Sequence, residues 1–241
     1  MDIKRKVVIG IQARTTSTRF PGKVFQKIDD KEMLQHVLDA ADGAAQFINK
    51  FSDKNMMKVS TVLLIPTGDE IKKRYEHETI IFEGPEHDVL KRYRLMSDRM
   101  KPDFVVRITS DCPLIPPFLI AKHINVALAL PYDYTSNVDP VLRTSIDGHD
   151  VEVMSRKALE WADDSADNEG DREHVTAILR TKKIPTGFKV AHVIGHLYQP
   201  HLKLSVDTPE DLQLVKREYQ NIKMAIQRAI DLSGPKSVHR V

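Results

Sequence analysis

The chain has a single cysteine in 241 residues, Cys112, so no internal disulfide can staple it. That usage fits a reducing, cytoplasmic setting. Its formal net charge is only +2, which gives no whole-surface field for gathering nucleic acid; any strong positive field must be local. No apolar run approaches the length of a membrane-spanning helix. The first apolar run, after the charged start MDIKRK, is too short for a signal-peptide core and is interrupted by Gln12 and Arg14, so it reads as a strand. Low-complexity segments and internal repeats are absent. No G-x-G-x-x-G follows the first apolar run, which disfavours a dinucleotide oxidoreductase. His192, His196 and His201 lack the spacing and cysteine partners of a zinc site.

What is present is enough apolar sequence, 41%, for one substantial domain spanning residues 1–241. Val7 to Ile11 reads as a strand buried on both faces. A polar loop carrying Arg14, Thr15, Thr16, Ser17, Thr18 and Arg19 follows, then Pro21, Gly22, Lys23 and a helix. Such loops at strand carboxyl ends turn backbone N–H groups and cations toward a phosphate-binding crevice.

The alternation continues through an expected helix from Lys31 to Ile48, strands over 58–65 and 79–82, and a helix from Asp88 to Met100. On that helix Lys91, Arg92 and Arg94 fall on the polar side. A strand at Phe104–Ile108, a helix up to Pro131 and a short strand at Tyr132–Asn137 come next. Alternating strands and helices imply a parallel sheet covered on both faces. The stretch from Asp150 to Met154 alternates, so Asp150 and Glu152 share one face of a half-buried strand. Ser155 caps the following helix. Asp171 to Thr176 is expected to open another helix, and 188–193 to form a strand. A strand ending at Asp207 leads into a last helix capped by Thr208, with Leu212, Val215, Tyr219, Ile222 and Ile226 inward and a frayed tail from Ser233.

Three strings carry a resemblance. Ala13-Arg14-Thr15-Thr16-Ser17-Thr18-Arg19-Phe20-Pro21-Gly22-Lys23 resembles, without a gap, the signature of the CTP-dependent sugar cytidylyltransferases. That superfamily includes the Kdo and acylneuraminate enzymes and the spore coat polysaccharide biosynthesis protein F-like branch. Thr109-Ser110-Asp111-Cys112-Pro113-Leu114 is similar to the family's aspartate turn, with Ser110 where glycine is more usual. Val206-Asp207-Thr208-Pro209-Glu210-Asp211-Leu212 is similar to a later motif with a second aspartate. The Thr109–Leu114 string and Arg172-Glu173-His174-Val175-Thr176 lean toward the spore-coat-type branch, whose members also carry a segment similar to Gly148-His149-Asp150-Val151-Glu152.

The resemblance implies a three-layer α/β nucleotide-diphospho-sugar transferase fold, with a small protruding lobe from about 141 to 200 that supplies a dimer contact. It implies CTP as substrate, Mg²⁺ as cofactor, and CMP transfer to a sugar acid with release of pyrophosphate, in polysaccharide biosynthesis. Nucleotide contacts fall to Gln12, Ala13, Arg14, Ser17, Arg19, Lys23, Thr109 and Asp111, and metal ligation to Asp111 and Asp207. Arg14, Lys23, Asp111 and Asp207 form the catalytic set, and Asn137, Asp150, Glu152, Arg172 and His174 the substrate side. Two other readings stay open: a phosphorylated acceptor giving a CDP-linked product, and a non-catalytic nucleotide-binding scaffold. Each of these positions also has a plainer explanation: a turn cap for Asp111, a solvated strand face for Asp150 and Glu152, a structural histidine for His174. Cys112 reads as a buried, inert thiol.

Overall fold

The protein is seen in a computed structural model describing residues 5–52, 57–130, 132–139, 141–181, 184–195 and 202–232. Pro131, His196, His201 and the tail from Ser233 lie outside these residues. In chain order, β1 (Arg5–Gln12) is followed by the polar loop, a 3-10 turn at Lys23–Phe25 and a small hairpin, β2 (Lys27–Ile28) and β3 (Lys31–Glu32). The helix expected directly after Lys23 is thus only one turn long. The long helix, α1 (Met33–Phe51), begins beyond the hairpin.

Next come β4 (Met57–Pro66), α2 (Ile71–Tyr75), β5 (Ile80–Gly84), α3 (Val89–Met100), β6 (Phe104–Thr109) and α4 (Pro117–Ala129). The second half comprises β7 (Tyr134–Ser136), β8 (Glu152–Ser155), α5 (Arg156–Ser165), α6 (Glu169–His174), α7 (Ala177–Thr181), β9 (Val190–His192) and α8 (Pro209–Leu232).

Seven strands form one sheet in the order β5-β4-β1-β6-β8-β7-β9. β5, β4, β1 and β6 run parallel, whereas β8 is antiparallel to both of its neighbours, so the sheet is mixed. From 141–200, β8 and β9 join this sheet, and Val175, Ile178 and Leu179 enter the apolar layer that also holds α3 and α5 residues.

Strand β1 is buried on both faces because its residues alternate between two helical layers. Val7, Ile9 and Ile11 pack with Leu34 and Val37 of α1 and Ile120 and Ile124 of α4. Val8 packs with Leu90, Tyr93 and Met96 of α3 and Leu159 of α5. Gly10 also faces α3: a Cβ there would stand 2.7 Å from the Tyr93 ring, whose hydroxyl donates to the Gly10 carbonyl at 2.9 Å. Glycine in this strand lets α3 approach closely.

The chain winds outward from β1 through β4 to β5, then returns to place β6 on the other side of β1. The carboxyl ends of β1 and β6 therefore flank a topological switch point, where such sheets open a ligand crevice. A third apolar cluster, with Ile28, Met33, Ile146, Leu204, Val206, Leu212 and Val215, seats the hairpin and the start of α8 beside that crevice.

Three more expectations change. The strand before Asp207 is reduced to an isolated bridge, Lys203 with Asp147. The Arg172–Thr176 string closes α6 rather than opening a helix. On α8, Leu212 and Val215 are buried, but Ile222 and Ile226 are about half exposed, because no described element covers the second half of the helix.

Candidate active site

A cleft of about 400 Å³ opens at the carboxyl ends of β1 and β6. It is lined by Gln12, Ala13, Arg14, Ser17, Arg19, Lys23, Thr109, Asp111, His174 and Asp207, along with Arg92, Arg107 and Glu173. Every residue assigned to the nucleotide by sequence is in that set.

The polar loop is pinned from two neighbouring turns. Asp69, after β4, accepts from the Thr15 N–H at 2.9 Å and its hydroxyl at 3.1 Å. Glu86, before α3, accepts from the Thr16 hydroxyl. Beneath the loop, Arg92 donates to the carbonyls of Ala13 at 3.3 Å and Leu64 at 3.0 Å. Burial lowers its pKa to about 10, so it stays protonated at neutral pH as a fixed charge under the loop. Arg92 belongs to the face that sequence assigned to solvent, yet it is fully buried. Periodicity does not reveal an arginine turned inward to satisfy strand-end carbonyls.

Asp111 and Asp207, 96 positions apart, are joined through the backbone: the Val206 N–H donates to the Asp111 carbonyl at 2.8 Å. Lys23 bridges them. Its ammonium lies 3.3 Å from Asp111, 3.4 Å from Asp207 and 2.6 Å from the Val206 carbonyl. Arg19 reaches Asp207 at 2.8 Å, and Lys203 reaches it at 3.0 Å. Burial raises the Asp207 carboxyl, but the Lys203 hydrogen bond and the charges of Lys23, Lys203 and Arg19 hold it below its ordinary range.

Asp211 accepts from the N–H groups of Asp207 and Thr208, while the Thr208 hydroxyl accepts from Asp211: a reciprocal cap that fixes Asp207 at the mouth of α8. Gly148 permits the same approach from the other side. It has φ +100°, and a Cβ there would collide with the Leu204–Ser205 peptide at 2.4 Å.

Two carboxylates with oxygen donors facing a cationic phosphate loop fit Mg²⁺, which binds one or two protein carboxylates and takes its remaining ligands from phosphate and water. Among the described residues no cluster of three or more His, Cys, Asp or Glu could cage a metal by itself.

A second cavity of about 340 Å³ adjoins the first and shares Arg107, Thr109, Asp111 and His174 with it. Asp150 and Glu152 line it together with Arg143, Asp147 and Arg180. Glu152 is buried rather than solvated. It accepts from Arg107, Arg180, Tyr134 and Thr176. Burial raises its carboxyl, but Arg107 and Arg180 hold it below its ordinary value. Arg107 also donates to the Gln12 side-chain oxygen at 3.0 Å, tying this network to the floor of the first cleft. Asp150 pairs with Arg143 at 2.6 Å, and burial pushes its carboxyl up to about 6. The Cys112 thiol is raised by burial and by Asp111, in line with an inert group.

Two residues assigned to the substrate side lie elsewhere. Asn137 is fully buried, and its amide holds Ser145, the His149 carbonyl and the Val151 N–H; it shapes the 145–151 loop from behind. Arg172 points away from the cleft onto Asp163 at 2.5 Å and Asp88 at 3.5 Å, tying α6 to α5 and the start of α3. The residues that sequence reasoning missed are Arg92, Arg107, Arg143, Arg180 and Glu173. Glu173 stands inside a quoted string but pairs with distant Arg14; Arg92, Arg107 and Arg180 stand in no motif and are placed by carbonyls or carboxylates remote in the chain, and Arg143 by the nearby 145–150 loop.

The fold and the strings agree with known proteins. An uncharacterized protein of Methanocaldococcus jannaschii is 29% identical over 231 residues, 94% of this chain and 89% of its own length. The spore coat polysaccharide biosynthesis protein SpsF of Bacillus subtilis is 26% identical over 87% of this chain and 85% of its own. Among solved structures, a cytidylyltransferase from Leptospira borgpetersenii superposes with a TM-score of 0.72 at 24% identity, covering 98% of this chain and all of its own. CMP:2-keto-3-deoxy-manno-octonic acid synthetase complexed with CTP superposes at 0.60, with 15% identity over 90% of this chain and 99% of its own. Rv0371c from Mycobacterium tuberculosis, in complex with manganese, superposes at 0.55, with 16% identity over 88% and 97%. The cytidylyltransferase family profile matches residues 7–231, nearly the whole chain and all the cleft residues described above, so this chain belongs to the cytidylyltransferase family of nucleotidyltransferases.

Proposed function

We propose that the protein transfers CMP from CTP to a hydroxyl of a sugar acid, releasing pyrophosphate, in the making of a cell-surface polysaccharide or glycan. The observation that carries this reading is the Lys23 ammonium held between Asp111 and Asp207 beneath the Arg14–Arg19 loop. Three cations and two carboxylates thereby face one cleft at the switch point.

Nucleotidyl transfer calls for positioning and charge neutralisation rather than covalent help. The acceptor hydroxyl gives its proton to solvent as its oxygen attacks the α-phosphorus, the bond from that phosphorus to the bridging oxygen breaks, and pyrophosphate leaves. Arg14 and Arg19 are exposed enough to exchange Glu173 and Asp207 for the β- and γ-phosphates. Lys23, nearly buried, adds a fixed charge for the leaving group. Asp111 and Asp207 would hold Mg²⁺. When bound, that ion neutralises phosphate charge and lowers the pKa of a coordinated hydroxyl.

The second cavity takes the acceptor. Its arginines, Arg107, Arg143 and Arg180, are each paired with a carboxylate. A dianionic phosphate would therefore find less compensation there than a singly charged carboxylate, which favours the sugar-acid reading over the CDP-linked product. We further propose that the enzyme works in the cytoplasm as a homodimer.

The test is pyrophosphate release with Mg²⁺, screening CTP, UTP, ATP and GTP against sugar acids and sugar phosphates. Release with CTP and a sugar acid is expected. Release only with a sugar phosphate would transfer the proposal to the CDP-linked product, and absence of nucleotide binding would overturn it.

A further inference from the structure

Val175 has φ 56° and ψ −60°, a region that β-branched residues scarcely enter. The Thr176 N–H donates to the His174 carbonyl, closing a three-residue turn of the rare, strained γ type. Strain of this kind persists where the surroundings over-determine it, and it concentrates at functional sites.

Here the surroundings act from three directions. The Val175 side chain is fully buried in the apolar layer with α3 and α5. The Thr176 hydroxyl donates to Glu152, itself locked by Arg107, Arg180 and Tyr134. On the other flank, before nucleotide displaces it, Glu173 pairs with Arg14 of the phosphate loop at 3.2 Å. His174 is the last residue of α6, and the tight turn ends the helix there. That places it on the seam where the nucleotide cleft and the second cavity meet, beside Arg107, Thr109 and Asp111.

We propose that the His174 imidazole donates a hydrogen bond to the α-phosphate of the bound nucleotide, and that the Val175 turn, anchored by Thr176 on Glu152, positions it. The α-phosphate is the group that must face both cavities, because it joins the nucleotide to the acceptor in the product. The inference rests on the proposed CMP transfer. It makes His174 a catalytic contact and Val175 and Thr176 positioning residues.

The experiment follows the histidine ring resonances of ¹⁵N-labelled full-length protein with Mg²⁺, adding cytidine, CMP or CTP, while calorimetry records binding. The His174 signal, assigned by its loss in His174→Gln, is expected to shift with CMP and CTP and to stay in place with cytidine. Buried His123 on α4 serves as the unmoved control. His174→Gln should weaken CMP about tenfold and leave cytidine unchanged. Thr176→Val should remove most of the CMP-induced shift, and Thr176→Ser should return it.

CTP binding with a stationary His174 signal would overturn the inference while leaving the proposed function standing. An equal shift with cytidine would overturn it in favour of a base contact. A normal CMP response in Thr176→Val would remove the positioning role. Failure of every nucleotide to bind would overturn the proposed function and this inference together.

Discussion

Lys23 is the residue on which the cleft balances. Its ammonium separates two carboxylates that would otherwise repel, and the same charge is aimed at the leaving phosphates. Lys23→Ala should weaken CTP by at least about tenfold and CMP by less than about threefold, measured by calorimetry; equal losses would remove Lys23 from the β/γ-phosphate site. Asp111→Asn and Asp207→Asn keep side-chain shape but discard the charge for a divalent cation. Each should cut pyrophosphate release by at least about a hundredfold while the protein stays folded by circular dichroism; wild-type rates would contradict the metal assignment.

Asp150 adds a pH dependence at this scale. Its folded-state pKa of about 6 lies above the ordinary 3.8, so the folded protein keeps a proton that the unfolded chain releases. The stability it contributes is complete below pH 3.8 and is lost as pH rises through about 6. Melting curves across that window should slope downward in the wild type and lose that component in Asp150→Asn. An unchanged slope would contradict the assignment.

Among elements, β8 does the most to join the two cavities. It presents Glu152, buried between Arg107 of β6 and Arg180 of α7. Removing one partner of such a pair leaves buried charge uncompensated, so Glu152→Gln should cost about 3–5 kcal/mol of stability, read by denaturant unfolding; a loss under about 1 kcal/mol would show the network to be solvated. Gly10→Ala on β1 should cost roughly 1–3 kcal/mol by pushing α3 away through Tyr93. On α8 the expectation reverses: Ile222→Ser and Ile226→Ser should change stability by less than about 0.5 kcal/mol in the monomer.

These elements also mark what could be read from sequence. Strand β1, the phosphate loop and the Thr208 cap are legible because each is a contiguous pattern with a local cause: an unbroken apolar run, clustered donors, a capping residue before proline. Glu152 was placed on the correct strand, but its burial depended on Arg107 and Arg180, which no spacing rule connects to it. The exposed half of α8 misled for the opposite reason. Its isoleucines keep a helical period, yet no described element packs against them. The turn at Val175 has no sequence signature, since valine is among the residues least suited to it.

For the whole molecule, the order β5-β4-β1-β6 sets the switch point, and the reversed β8 continues the sheet past it. That continuation makes the second cavity. The first half of the chain supplies the phosphate loop and Asp111, and the second half supplies Glu152, His174 and Asp207. Neither half builds the site alone, which is why Asp111 and Asp207 depend on one backbone bond through Val206. Homodimer formation belongs to this scale as well; light scattering should give about twice the mass of the chain, and a monomer would contradict that part of the proposal.

The most direct test of the account is Mg²⁺-dependent pyrophosphate release from CTP in the presence of a sugar acid. The account predicts release that requires both substrates, disappears on chelation of the metal, and is lost in Asp111→Asn and Asp207→Asn. Release that persists in both variants, or a wild-type protein that binds no CTP, would contradict it.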